Sequence, residues 1–552
     1  MDISITLPTK INTDNITKNA RPLQLLYNHY STSAMARMEV DDELTAEIKA
    51  QVEEWSTNST ECFNIDLLRG NKVVETFTPD FTYPIFGEEE AIFGYRDLSI
   101  NLSFAAHNLR PYLSIEHGRV FKAQGDVRPT DIKEALADFL PEAAFSEQSR
   151  DAALTDADAA SFQPPGEKVH GYEHNGQQYE IWCASLADGK ARELLENMQI
   201  LVPMFIEGGS ILQLEQDWSA NRWKLFLLYQ VDSKPAAETS PYMLVGYGTS
   251  YRIFTLPDRQ APADTPALNG QDLLSLLPDP DAATTTPASS SSPLDLPSRE
   301  RLSQFLILPP FQGAGHGRQL YTTMYTHLTA PANVLEFTVE DPNEAFDDLR
   351  DLCDLLYLRA HNPSFAALRV NTDIPAEKLA SDARIPDDLI VDGSAREAIR
   401  KQTKIMPRQF DRLVEMHTLS FIPPLHRSRS RLTRKERASN LNDKAFYLWR
   451  LYAKKRLFVH NRDQLVQVER EERLDRLEAV VDSVLEGYGA LLEKAGKYGG
   501  GKADDNAVEG AKKPAVRKRK VVDEEDEEDE EDEDEEVVIG KTNGTSKKKP
   551  KV

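Results

Sequence analysis

The string in this chain most capable of chemistry is Gln312-Gly313-Ala314-Gly315-His316-Gly317, which follows an apolar run and precedes an amphipathic one. Glycines at that density let several backbone N–H groups point into one concavity, and a helix starting there adds the partial positive charge of its N-terminus. Such a turn suits a diphosphate. It is also compatible with a plain helix-capping loop. Two nucleotide motifs use the same physics, and neither fits. A P-loop needs Gly-Lys-Ser/Thr, whereas Arg318-Gln319 follows Gly317. A dinucleotide fingerprint needs GxGxxG in a parallel βαβ unit, whereas GxGxG occurs here after strands that read as a meander.

Glu340 and Asp341 close the string VLEFTVED and precede Pro342. Paired acids at the C-terminal end of a strand in an open α/β sheet project into the ligand crevice, where a carboxylate can take up a proton. Simple solvation is the alternative for such acids. Glu207, in Phe205-Ile206-Glu207, is a carboxylate in an otherwise apolar segment. Cys62, Cys183 and Cys353 lie far apart without CxxC spacing, which argues against a disulfide framework and against a zinc site. Cys353 falls on an apolar helical stripe, so packing is expected of it rather than nucleophilic attack.

The elements that must position these residues form a mixed α+β and α/β pattern. From about residue 25 to 125 strands dominate, with Leu98, Ile100, Leu102 and Phe104 in alternation. DIKEALADFLPE reads as a helix, and about 144–168 as a polar loop. WKLFLLYQVD, YMLVGYGTSYRIF and RLSQFLIL are strands. A helix with Leu320, Met324 and Leu328 on one face follows the glycine turn, then the strand VLEFTV. Next comes a helix carrying Phe346, Leu349, Cys353 and Leu356. Residues 257–300, rich in Pro, Ser, Thr, Ala and Asp, are expected to be a disordered insertion between two adjacent strands. After about 375 the chain reads as helical and charged, with Leu474, Leu477, Val481 and Val484 as the stripe of its last long helix. Beyond Gly499 a disordered tail is expected.

Every residue from Asp523 to Glu536 is acidic, so of the total charge of −25 the rest of the chain carries −11. That moderately acidic body favours cationic partners over bare nucleic acid. The N-terminus shows no secretory pattern and no apolar run is long enough to span a membrane, so a cytoplasmic and nuclear protein is expected.

Gln312, Gly315 and Gly317 after a strand match the Gln-x-x-Gly-x-Gly signature by which GNAT acetyltransferases hold coenzyme A. The longer strings SQFLILPPFQGAGHGRQLY, FIEGGS, FGEEEAIFGY and VEDPNEAFDDLRD resemble the catalytic subunits of type B histone acetyltransferases over about residues 20–420. The resemblance implies an N-terminal domain over 1–190 and a GNAT catalytic domain over 191–370, interrupted at 257–300. A helical domain over 371–498 and a tail over 499–552 complete it. It implies acetyl-coenzyme A as co-substrate and no metal. Phe305, Leu306 and Ile307 would offer strand backbone to the pantetheine arm. Gln312, Gly313, Ala314, Gly315, His316, Gly317 and Arg318 would wrap the pyrophosphate, with Asn343 nearby. Glu340 falls on the family's catalytic glutamate and would be the general base, with Glu207 and Asp341 as assisting or alternative acids.

The implied acceptor is a lysine of the tail of free histone four. Glu88, Glu89 and Glu90 match an acidic, tail-contacting turn, and Trp223, Tyr251, Arg252 and Ile253 match tail contacts on the catalytic domain. The Arg252-Ile253 pair departs from the more aromatic or polar residues expected there. A WD40-repeat histone-binding subunit is the implied partner. KKPAVRKRK (Lys512–Lys520) resembles a nuclear import signal, and the acidic run resembles those of histone chaperones. Two other readings stay open: a histone-binding chaperone with a non-catalytic acetyltransferase fold, and an acetyltransferase for other protein amines.

Overall fold

A computed structural model describes residues 52–123, 125, 127–214, 217–255, 293–380, 383–432 and 440–499. The expected insertion up to residue 292, the basic and acidic runs, and the tail lie outside the described residues.

A four-stranded sheet comes first: β1 (Phe63–Arg69), β2 (Lys72–Phe77), β3 (Ser99–Ala105) and β4 (Pro111–Glu116), in the order β2-β1-β3-β4. Ile100, Leu102 and Phe104 are buried as their alternation requires, and Ser103 is buried with them. The central sheet has six strands: β5 (Glu167–His174), β6 (Gln177–Ser185), β7 (Trp223–Val231), β8 (Tyr242–Phe254), β9 (Ser298–Ile307) and β10 (Val334–Val339). Its spatial order follows the sequence, and every neighbouring pair is antiparallel except β9 with β10. That is the expected meander followed by a crossover. Two expectations shift. Glu167–Ser185, assigned by sequence to the N-terminal unit, form the far edge of the central sheet. The insertion also ends sooner than expected, because Ser298–Glu300 already pair in β9. Polar composition misled there: Ser298 and Glu300 are buried.

Helix α1 (Gly189–Met198) and a short turn of helix (Leu201–Phe205) follow β6 and join the N-terminal core. Helix α2 (His316–Thr329) crosses the central sheet with Leu320, Met324 and Leu328 fully buried. Gly248 permits that approach, since a Cβ there would lie 2.7 Å from the Met324 sulfur. Helix α3 (Glu344–His361) is capped by Asn343, whose side-chain oxygen accepts from Phe346 N. Then come α4 (Gly393–Thr403), α5 (Pro407–Leu419), α6 (Leu441–His460) and α7 (Arg470–Gly499). In α7, Val481 is buried and Leu477 and Val484 pack beside it, but Leu474 is 53% exposed, so the stripe begins one turn later than expected.

The central sheet separates two cores. Leu225, Leu227, Tyr229, Tyr247, Leu306 and Leu308 face the N-terminal sheet and α1. Phe226, Leu228, Val245, Leu302, Ile307 and Phe337 face α2, α3 and the C-terminal helices. Any site built on the first face is therefore framed by N-terminal loops.

Candidate active site

β9 and β10 run together only from Ser298–Val334 to Leu302–Val339, and the last ladder bond is Glu340 N to Leu302 O at 2.9 Å. Beyond it β10 ends and β9 continues to Ile307, paired with β8 alone. Leu308 N donates to Val245 O, so past the register slip at Ser303–Gln304 the peptide groups of Leu306 and Leu308 face β8. Strand alternation then turns those of Phe305 and Ile307 to the unpaired edge. The Phe305 ring packs edge-on against Phe346 at 5.1 Å, while Leu306 and Ile307 are buried on opposite faces. Phe305 and Ile307 pack their side chains while their N–H groups stay at the unpaired edge, whereas Leu306 is corrected as a backbone contact because its peptide groups pair with Tyr247 of β8.

The unpaired edge leads into the glycine turn. Gln312 folds back to donate from Nε2 to Ile307 O at 2.8 Å, and Gly313 and Gly315 hold φ of 78° and 85°. Those values are left-handed and favour glycine. Gly315 is the N-cap of α2 and offers no side-chain cap, so the first amides of α2 keep free donors beside Ala314. Gly317 differs: a Cβ there would meet Leu349 at an ordinary 3.4 Å, where α2 meets α3, so neither backbone angle nor packing requires glycine. His316 is corrected as a side-chain ligand. Its ring is buried, shares a 2.8 Å hydrogen bond with the Tyr172 hydroxyl and lies 4.5 Å from the Tyr179 ring. Burial pushes its pKa down to about 4, leaving only its backbone N–H for the turn. The Arg318 guanidinium sits 4.8 Å from the Tyr498 ring of α7. Asn343 is exposed, and its side-chain oxygen serves the α3 cap.

Glu340 stands where the two strands part. Ser303 Oγ donates to its Oε2 at 2.7 Å, and Arg301 Nη1 lies 3.4 Å from Oε1. The Glu340 side chain is 42% exposed. Asp341 is exposed at a φ of 31°, an unusual value for a non-glycine residue and stored strain at this fork. Glu207 is not embedded in apolar surroundings as its neighbours suggested. The helix Leu201–Phe205 buries those neighbours and leaves Glu207 exposed on the turn that follows. Gln304 ties this turn to β9, donating from Nε2 to Ser210 O at 2.8 Å.

Across the same face, Arg301 is opposite Tyr251, which is opposite Trp223, and the two rings lie 4.7 Å apart. Ile253 follows on that face. Arg252 is corrected: it points the other way, is buried, and donates from Nε to Glu300 Oε1 at 2.7 Å and from Nη1 to Leu294 O. Strand alternation separates it from its neighbours. Glu90 is corrected as well. Its Oε1 accepts from Thr82 N at 2.5 Å and from Tyr83 N at 3.2 Å, so the carboxylate closes its own turn. Glu88 and Glu89 remain exposed. Asp80 N bonds to Met204 O, which brings this N-terminal segment beside the helix that leads to Glu207.

Ser303, Arg301 and Gln304 were missed from sequence. The signal was the consecutive polar pair Ser303-Gln304, which breaks the alternation of RLSQFLIL. Cys353 is buried with its thiol pushed up to about 12, which removes it as a nucleophile. Among the described residues no cluster of His, Cys, Asp and Glu could hold a metal ion. A cavity of about 490 Å³ lined by Trp55, Arg119, Val120, Phe121 and Lys122 lies in the N-terminal unit and contains none of these site residues.

Residues 55–207 match the family described as "Histone acetyl transferase HAT1 N-terminus", and residues 351–420 match "Fungal HAT1, C-terminal". The chain is 39% identical to the histone acetyltransferase type B catalytic subunit of Aspergillus oryzae, over 80% of this chain and 86% of that protein. It is 36% identical to the Pyricularia oryzae protein of that name, over 81% and 92%, and 31% identical to that of Cryptococcus neoformans, over 80% and 98%.

Proposed function

The chain belongs to the family of histone acetyltransferase type B catalytic subunits, acyltransferases by name, and from that premise we propose that it carries acetyl from acetyl-coenzyme A to lysine side chains in the N-terminal tail of free histone four. The central domain is a GNAT fold in this reading. The observation that carries it is the fork between β9 and β10. An unpaired strand edge runs from Glu340 into a glycine turn at the start of a fourteen-residue helix.

The residues fit the co-substrate. The edge of Phe305 and Ile307 offers peptide groups to an amide-bearing arm, as a neighbouring strand would. The amides from Gly313 to Gly317 offer donors to a diphosphate. A lysine amine, with a pKa of about 10.4, arrives protonated and is no nucleophile. Glu340 takes the proton as the amine attacks the thioester carbonyl. Backbone N–H groups of the open β9 edge meet the oxyanion. A C–N bond replaces the C–S bond, and the departing thiolate takes up a proton. Glu207 and Asp341 flank this path as assisting acids. Trp223, Tyr251 and Ile253 supply the surface along which the tail lies, and Glu88 and Glu89 supply negative charge at its rim. A WD40-repeat histone-binding subunit is the partner, and both cytoplasm and nucleus are the setting.

The test is Glu340→Gln. Its kcat should fall about 100-fold or more while calorimetry records unchanged binding of acetyl-coenzyme A. Near-normal turnover removes Glu340 from the role of base.

A further inference from the structure

The pairing of β9 with β8 slips at one place. Gly248 pairs with Phe305 and Ser250 with Leu302, so Ser303 and Gln304 together oppose Thr249. This is a β-bulge, sealed by Gln304 N donating to Thr249 Oγ1 at 3.0 Å. Side chains in a regular strand alternate between faces; in a bulge of this kind two successive ones share a face. The packing agrees. Arg301 stands on the face of Tyr251 and Trp223 before the bulge, and Leu306 and Leu308 stand on that same face after it. Ser303 and Gln304 therefore both reach the acceptor side.

They do different things there. Ser303 donates to Glu340 Oε2. Gln304, 3% exposed, donates to Ser210 O in the segment that carries Glu207, and its own Oε1 has no partner. Glu340 needs such support, because its long side chain is 42% exposed and Arg301 approaches only to 3.4 Å. A base has to hold hydrogen-bond reach of the proton that it takes. Without the bulge one of the two residues would point to the helical face, and one of these bonds would not form.

We propose that this bulge is the positioning device of the reaction: Ser303 fixes the carboxylate of Glu340 toward the incoming amine, and Gln304 latches the Glu207 turn across the same cleft. Both are positioning residues, and the idea rests on Glu340 as the base. Losing one hydrogen bond to a charged group corresponds to about a tenfold change in rate.

The experiment is steady-state kinetics with acetyl-coenzyme A and a histone four tail peptide. Ser303→Ala should lower kcat about tenfold and leave the KM for acetyl-coenzyme A and the melting temperature unchanged, with Ser303→Thr restoring most of the rate. In the Glu340→Gln background, Ser303→Ala should cost nothing further. Gln304→Leu, which keeps the buried bulk, should lower kcat about threefold, and the loss should vanish in a Glu207→Gln background. Wild-type turnover in Ser303→Ala, or failure of the threonine to rescue, overturns the role of Ser303. Wild-type turnover in Gln304→Leu overturns the latch. Should Glu340→Gln itself stay active, the base assignment fails rather than the bulge.

Discussion

At the scale of single residues, the three glycines of the turn divide into two kinds that the sequence does not distinguish. Gly315 holds a φ of 85° in open space, so a methyl group there strains the backbone without meeting anything. Gly317 lies inside α2 with Leu349 at ordinary contact distance from a built Cβ. Gly315→Ala should raise the KM for acetyl-coenzyme A about tenfold and cost about 1 kcal/mol of stability. Gly317→Ala should change KM less than threefold. Calorimetric titration of both variants checks the contrast, and equal effects would contradict a cradle built on backbone angle. The acids were legible as types and positions. Their support was not: Ser303 and Gln304 act through a register slip, which depends on the facing strand. Arg252 and Glu90 show the opposite failure, charged residues that sequence put at the surface and that packing turned inward.

At the scale of elements, α3 joins the site to the helical layer through buried charge. Asp351 is fully buried against Arg412 and Gln409 of α5, and Asp354 accepts from the Tyr321 hydroxyl of α2 at 2.9 Å and from Gln409 at 3.1 Å. Burial lifts Asp354 from the ordinary 3.8 to about 7. A raised folded-state value means that the native protein binds the proton more tightly than the unfolded chain. The stabilisation is thus complete below the unfolded value near 3.8 and is lost as pH rises toward 7. Denaturant titrations from pH 4 to pH 8 should show wild type losing stability relative to Asp354→Asn, with a slope of up to ~1.4 kcal/mol per pH unit that flattens above pH 7. Parallel curves for the two proteins would show that Asp354 does not carry this pH dependence. The helical periods of α2 and α3 were readable from their apolar spacing; the acids hidden among them were not, because nothing local reveals which partner helix will neutralise them.

At the scale of the whole molecule, the central sheet and the C-terminal helices share one core. Glu415 of α5 is fully buried and accepts from Arg456 of α6 at 2.7 and 2.9 Å and from the Tyr488 hydroxyl of α7 at 2.9 Å. Removing one partner of a buried pair strands the other, so Glu415→Ala should lose about 3 kcal/mol in chemical denaturation. An unchanged midpoint would mean that the Glu415 pair contributes nothing to holding the three helices together. The same layer reaches the glycine turn, since Tyr498 near the end of α7 stacks beneath Arg318.

Much of this protein's design was set by local sequence. The strand–glycine turn–helix unit, the strand-end acids, the amphipathic helices and the long strings shared with one acetyltransferase family are all short-range features, governed by backbone preference and apolar period. Tertiary structure alone decided which acids face the cleft and which are spent on caps and ion pairs. It also decided where β10 leaves β9 and which strand completes the sheet edge. The reason is that faces and registers are fixed by contacts between segments far apart in the chain, and one bulge is enough to reverse every side chain after it.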